Sequence, residues 1–350
     1  MVTSVRSEPV EIIAVTPSKG IRLPNRLLRW SRYILGCLFV LLVIGELFAR
    51  FYLGLGDPPL SIEDEKVEYR FKPGIYHRFG NTITINLFSM RSGPITPEKV
   101  DPRELRVLMV GDSVINGGSL TDDRELATAI LQDQLSSTLQ RPVYVANISA
   151  GSWGPPNQAA YLRKFGWFDA DLLVLVLSSH DAIDTPSFEP TVGVHPSYPD
   201  HKPLFALTEL IQRYSPLSGF FNPVPIQSFE LQYSSPSDEV LEVRKEKCQQ
   251  ALREMLEQAQ KQGIPCLILI HSTRDELDGQ IRPERSAILE VASEKAVPVL
   301  EDGPAMKDSL LSGKDPLRDN DEIHPNAIGQ QILASILYDP ILNQLRSRIE

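Results

Sequence analysis

Cysteine is scarce in this sequence. Cys37, Cys248 and Cys266 are its three thiols, an odd set with no CxxC spacing. That argues against a thiol-rich metal site and against the paired framework that staples small secreted domains. A single Cys248–Cys266 bridge remains open to a chain outside the cytoplasm. Clustered Lys and Arg are missing from the globular part, and the net charge is -10. Nucleic acid is therefore excluded as the main partner, because phosphate binding needs such clusters.

What remains is ordinary for a soluble protein: 350 residues, 42% hydrophobic and 23% charged. Such a chain buries a core without metal or disulfide staples, as one large domain or two ordinary ones. The longest apolar stretch runs from Tyr33 to Leu55. About 20 residues suffice for a helix to cross a bilayer, provided Glu46 and Arg50 are tolerated near one end. They are spaced i, i+4, so they can meet on one face or snorkel toward headgroups. Arg6, Lys19, Arg22, Arg26, Arg29 and Arg32 all precede this stretch. That bias predicts a cytoplasmic tail over 1–32, a bilayer-embedded anchor over 33–55, and an extracytoplasmic remainder. A cleavable secretory signal is the rival reading, though the basic region is long for one and no A-x-A site follows. A buried core helix fits less well, because the basic residues flank one side only.

Gly56-Asp57-Pro58-Pro59 then marks a break. Residues 56–104 read as a stalk or extension packed on the main domain, with one short strand in Asn81–Leu87. From residue 105 onward, short apolar runs alternate with amphipathic stretches. The strands are expected at 106–110, 143–148, 172–177, 266–270 and 297–300. Helices are expected at 122–139, opened by an Asp122-x-x-Glu125 capping box, and at 158–165, 239–262, 283–295 and from 326. A long insertion over 182–237 interrupts them, with a helix at 206–214. Alternation of this kind predicts a parallel sheet covered by helices on both faces, its ligand site beyond the carboxyl ends of the strands.

The residues that carry chemistry fall at those ends. Ser113 follows the first strand in a tight Gly111-Asp112-Ser113 turn. A serine needs a base, and the base needs an orienting acceptor. Asp321-x-x-His324 supplies both within one turn, just before the last helix. Either motif alone is common in turns; their joint placement points to a nucleophile with its base.

Together these blocks resemble the SGNH/GDSL hydrolase family over residues 106 to about 340. Val110-Gly111-Asp112-Ser113 matches its first block and Asn147-x-x-x-Gly151-x-x-Gly154 its second. Asp321-x-x-His324-Pro325-Asn326, with Gly329 following, matches its last. The resemblance implies a flavodoxin-like three-layer α/β/α domain that attacks esters through Ser113, with no metal or cofactor. It places the oxyanion glycine at Gly154, with Gly151 as second choice. The third block departs from the usual Gly-x-Asn-Asp, reading Ser178-Ser179-His180-Asp181. His180 is expected to donate a ring N–H where the family has asparagine, the alternative being a packed structural histidine.

His271 ends a strand and reads as a satisfied edge residue. His195, Asp200 and His201 fit no standard ligand spacing. Trp153 and Trp167 read as core, with a substrate-facing Trp153 as the alternative. Phe205, Phe220 and Phe221 are candidates for a lid or a substrate wall. The expected activity is serine-dependent hydrolysis of a cell-envelope ester, such as an O-acylated polysaccharide or lipid. Acyl transfer to a sugar hydroxyl and a non-catalytic binding module are the alternatives.

Overall fold

The computed structural model describes residues 25–214 and 237–349. Helix α1 (Asn25–Leu47) forms a unit of its own, and residues 48–350 belong to a second. Arg29–Tyr52 is long and apolar enough to cross a membrane. Its large apolar side chains, from Trp30 to Tyr52, stand exposed. A soluble core helix would bury them, so the core-helix reading does not hold.

The second unit opens with two antiparallel hairpins. One pairs β1 (Ser61–Asp64) with β2 (Glu68–Phe71), and the other β3 (Gly74–Arg78) with β4 (Asn81–Ile85). They are built into the domain: Val67, Tyr69 and Met90 join its main core, and Asn157 donates to the Val67 carbonyl at 2.8 Å. The outer edge of β4 is closed by carboxylates. Thr82 N–H donates to Asp122 at 2.9 Å and Thr84 N–H to Asp123 at 2.8 Å. Charged side chains of this kind keep an edge strand from pairing with another chain.

β5 (Leu105–Gly111) leads to a one-turn helix, α2 (Ser113–Asn116), and then to α3 (Ala127–Leu139). The capping box at Asp122 is present but caps a separate turn at Asp123–Glu125. Leu126 is extended there, so the helix expected from 122 starts only at Ala127. β6 (Val143–Ser149), α4 (Pro155–Phe165) and β7 (Leu172–Ser178) follow. After the insertion's α5 (Ala206–Tyr214) come α6 (Asp238–Lys261), β8 (Cys266–His271), α7 (Arg274–Leu277) and α8 (Arg285–Glu294). β9 (Val299–Glu301), α9 (Gly303–Leu311) and α10 (Ala327–Ile349) complete the described chain.

β5 to β9 form one parallel sheet in the order β6-β5-β7-β8-β9, the flavodoxin-like order. Burial alternates in register. Leu108, Val110, Leu173, Leu175, Ile268 and Ile270 face α4, α6 and α8. Val107, Met109, Val174, Val176, Leu267 and Leu269 face α3 and α10. Both faces are covered, which explains the uniformly apolar strand sequences. The strand order reverses between β5 and β7, and a doubly wound sheet opens its crevice at that point.

Candidate active site

Ser113 stands at that crevice, on the first residue of α2. Gly111 just before it has no room for a side chain: a Cβ there would lie 2.7 Å from the Val176 carbonyl. Asp112 caps α2 by accepting from Val114 N–H at 2.9 Å. The helix is then tied down from two neighbouring elements. Asn147 on β6 donates to the Ile115 carbonyl, and Gln330 on α10 donates to the Val114 carbonyl, each at 2.8 Å. These bonds fix the backbone that carries the hydroxyl.

His324 arrives from the loop before α10. Its Nε2 is 2.9 Å from Ser113 Oγ, and its Nδ1 is 2.8 Å from Asp321 Oδ2. A carboxylate only accepts, so the ring proton belongs on Nδ1, and Nε2 is left to accept from the serine. Asp321 also accepts the backbone N–H groups of Ile323 and His324, at 2.9 and 2.8 Å. Burial alone raises its pKa, but the bonds from His324 and these amides outweigh it and hold the carboxyl well below its usual range. Hydroxyl, imidazole and carboxylate thus form one hydrogen-bonded line.

Residues 109–332, more than half of the chain, match the GDSL-like Lipase/Acylhydrolase family. The chain belongs to that family. Its members hydrolyse esters, and this GDSL-like chain is an ester hydrolase of that type. Nothing matches among curated proteins. Among solved structures, the acetyl xylan esterase AlAXEase is 12% identical, with 68% of this chain and 100% of that one covered at a TM-score of 0.44. Axe2, an acetylxylan esterase from Geobacillus stearothermophilus, is 13% identical, with 68% and 94% covered at 0.43. A lipase/acylhydrolase from Enterococcus faecalis is 13% identical, with 69% and 96% covered at 0.41.

The GDSL-like site has a cleft of about 220 Å³ that Ser113 and Gly151 both line. The extension supplies much of its wall, through Tyr69, Phe71, Ile83 and Ile85. Gly154 is not on the lining. It caps α4, buried, where a Cβ would lie 2.0 Å from the Asp184 carbonyl. The need for glycine at 154 is thus steric, and Gly151 is the glycine that the fold brings to the serine's cleft.

His180 does not line the cleft either. Its Nδ1 is 2.9 Å from Ser178 Oγ, and its Nε2 makes a 3.1 Å ion-pair contact with Asp112 Oδ2. Nδ1 is thus held by Ser178 and Nε2 stands in charge contact with Asp112, so the side chain expected to donate to the oxyanion lies off the cleft lining. The Ser178 hydroxyl gives its own hydrogen to Asp181 at 3.0 Å, so His180 Nδ1 is the donor toward Ser178. Burial works against its charge, but Asp181, Asp112 and Asp184 outweigh that and raise its pKa to about 10. Burial in turn pushes the Asp181 carboxyl far above its usual range and Asp184 to about 6. His180 is an imidazolium beside the Asp112 carboxylate, whose pKa it helps to lower against the effect of burial.

His271 is wholly buried, with Asp302 at 2.5 Å on Nδ1 and the Ile323 carbonyl at 2.7 Å on Nε2. It is satisfied, as expected of a strand-end histidine, and it also holds the loop carrying His324, which no local pattern announces. Trp153 is fully buried and donates to the Tyr69 carbonyl at 3.1 Å, so it is core rather than substrate-facing. Cys248 and Cys266 are free thiols, and the bridge between them is not formed. His201 pairs with Asp200 at the surface, while His195 is buried and lines the same small cleft as that pair. Phe205 is exposed; Phe220 and Phe221 lie outside the described residues.

Proposed function

We propose that Ser113 is the nucleophile, His324 the general base and acid, and Asp321 the group that orients it. The line from Ser113 Oγ through His324 to Asp321 is the observation that carries this reading. In the first half-reaction Ser113 Oγ bonds the ester carbonyl carbon while its proton passes to His324 Nε2. Asp321 stabilises the imidazolium that results. His324 returns that proton to the departing alcohol oxygen as the C–O bond breaks, leaving an acyl group on Ser113. Water then gives a proton to His324 and its oxygen to the acyl carbon, and Ser113 leaves with the proton restored. The oxyanion formed in each half is held by the backbone N–H groups of Ser113 and Gly151. The first of these opens a helix, where the dipole favours negative charge.

The substrate we assign is an ester of the cell envelope, such as an O-acylated polysaccharide or a lipid. The supporting observation is the apolar Arg29–Tyr52 helix with its preceding basic tail. In this account the helix is a retained anchor, the tail is cytoplasmic, and the domain lies on the far side. Protease added to sealed spheroplasts removes the domain if this orientation holds and leaves it intact if it does not. For the reaction, an acetylated oligosaccharide is incubated with the protein and no added acceptor. Release of free acetate supports hydrolysis. Acetate transfer that requires a free sugar hydroxyl assigns the same site to acyl transfer instead.

A further inference from the structure

The cleft beside Ser113 has a far wall that hydrolysis does not require. Among the described residues lining it are two guanidinium side chains, Arg78 and Arg213, and no carboxylate. This is unexpected in a chain of net charge -10.

One carboxylate serves both arginines. Glu209, buried behind them on α5, receives Arg78 Nη2 at 2.6 Å and faces Arg213 Nε at 3.6 Å. Its other oxygen is taken by the Gly56 N–H at 2.7 Å. Other acids near this wall are paired elsewhere, Asp57 with Lys202 and Asp200 with His201. Two cations therefore share one anion, which leaves the wall one positive charge in excess. Arg78 is almost wholly buried, its guanidinium 4.6 Å over the Phe79 ring, and its Nη1 has no hydrogen-bond partner. An unpaired buried guanidinium N–H is costly, because it has lost water without gaining an acceptor. Arg213 is more open, at 21% side-chain exposure, its Nε toward Glu209 and one Nη2 hydrogen given to the Pro196 carbonyl, which leaves further N–H groups for a ligand. Burial and the nearby Arg78 both disfavour its charge, against the pull of Glu209. Each of these features is relieved by an anion at the wall.

We propose that this wall is an anion subsite, in which Arg213, backed by Arg78, binds a carboxylate, sulfate or phosphate carried by the ester substrate. Planar forked donors suit such oxyanions, and Lys in the same place offers only a point charge. The subsite deepens the ester-hydrolase reading and rests on it for its substrate. It narrows the class to esters that bear a negative charge in the half seated in the cleft, an acylated uronate or a half-ester of a diacid among them.

Binding tests this without turnover. The full chain carrying Ser113→Ala, in detergent, is titrated with two ligand pairs. One is O-acetylated glucuronic acid against O-acetylated glucose, with the anion in the alcohol half. The other is the ethyl monoester of glutaric acid against ethyl pentanoate, with the anion in the acyl half. The charged member of one pair is expected to bind about tenfold more tightly, as for a charge-assisted hydrogen bond, and less so at high salt. Adding Arg213→Gln abolishes that preference, while Arg213→Lys keeps part of it; thermal melting confirms that each variant is folded. Equal binding within both pairs, or a preference that Arg213→Gln leaves untouched, overturns the subsite. Turnover of the neutral esters by the unmutated chain without any anion preference counts against the subsite alone. Anion preference with no turnover of any ester counts against the hydrolase reading alone.

Discussion

His271 Nε2 donates to the carbonyl of Ile323 at 2.7 Å, one residue before His324. Its Nδ1 faces Asp302 at 2.5 Å, so acceptors occupy both ring nitrogens and the ring carries both protons. A buried imidazolium thus pins the loop that presents the base to Ser113.

This pin makes stability depend on pH. Burial alone lowers the His271 pKa, but Asp302 and the Ile323 carbonyl more than reverse it, so the folded value is raised. The stabilisation is complete below the unfolded pKa of about 6.5 and fades as pH rises through the folded value. Removing one partner of such a buried pair costs about 3–5 kcal/mol. His271→Gln is expected to lower stability by that order in urea melts at pH 6, with a smaller loss at alkaline pH. A loss independent of pH would mean that the ring is neutral.

At His180, turnover and stability are expected to part. Removing an oxyanion donor typically costs about 10²–10³ in kcat. His180→Asn is expected to leave kcat within about tenfold of the starting enzyme, and to lower the melting temperature because the buried Asp112 carboxylate loses its cation. The loss of stability follows the folded pKa of about 10, full near pH 6 and shrinking as pH rises through that value. Steady-state rates and melting curves on one preparation read both quantities.

The two glycines divide in the same way. Gly154→Ala forces a Cβ to 2.0 Å from the Asp184 carbonyl, which is backbone and cannot swing aside. Overpacking of this kind costs about 1–3 kcal/mol, read as a drop in melting temperature. Gly151→Ala meets only the Tyr69 hydroxyl, at 3.4 Å. It is expected to fold normally and to lose turnover, because the new methyl stands in the cleft beside Ser113.

Asp321 fixes which nitrogen of His324 carries the proton. Asp321→Asn can present an N–H to Nδ1, which reverses the tautomer and leaves Nε2 unable to accept from Ser113. A fall in kcat of about 10⁴ is expected, as in serine triads generally, with little change in KM. In stability, the depressed Asp321 pKa means a contribution complete above about 3.9 and lost as pH falls through the folded value. Asp321→Asn is expected to remove that acid-side slope.

Much of this was readable from residue order. Strand runs such as Leu172–Leu177 are apolar throughout because both faces are covered, and that pattern survives any detail of packing. Ser113 and Asp321-x-x-His324 were legible because local spacing sets their chemistry. The hairpins of the extension were mostly missed: their strands are four or five residues long and gain stability by packing on the domain rather than from their own pattern. The one-turn helix α7, capped by Thr273 and Glu276, was missed as well, because so short a helix has no apolar period to reveal it. Gln330, which holds α2, and His271, which holds the base loop, act across 216 and 52 residues of chain. No local pattern reports such partners. The ion-pair contact of His180 with Asp112 is of the same kind.

The central claim is that Ser113 is a nucleophile activated by His324. The most direct measurement is covalent labelling of the folded chain with a fluorophosphonate, followed by mass spectrometry of the modified peptide. One adduct on Ser113 is expected, absent in Ser113→Ala and strongly slowed in His324→Ala. Folded protein that takes no label, or a label that persists in Ser113→Ala, would contradict it.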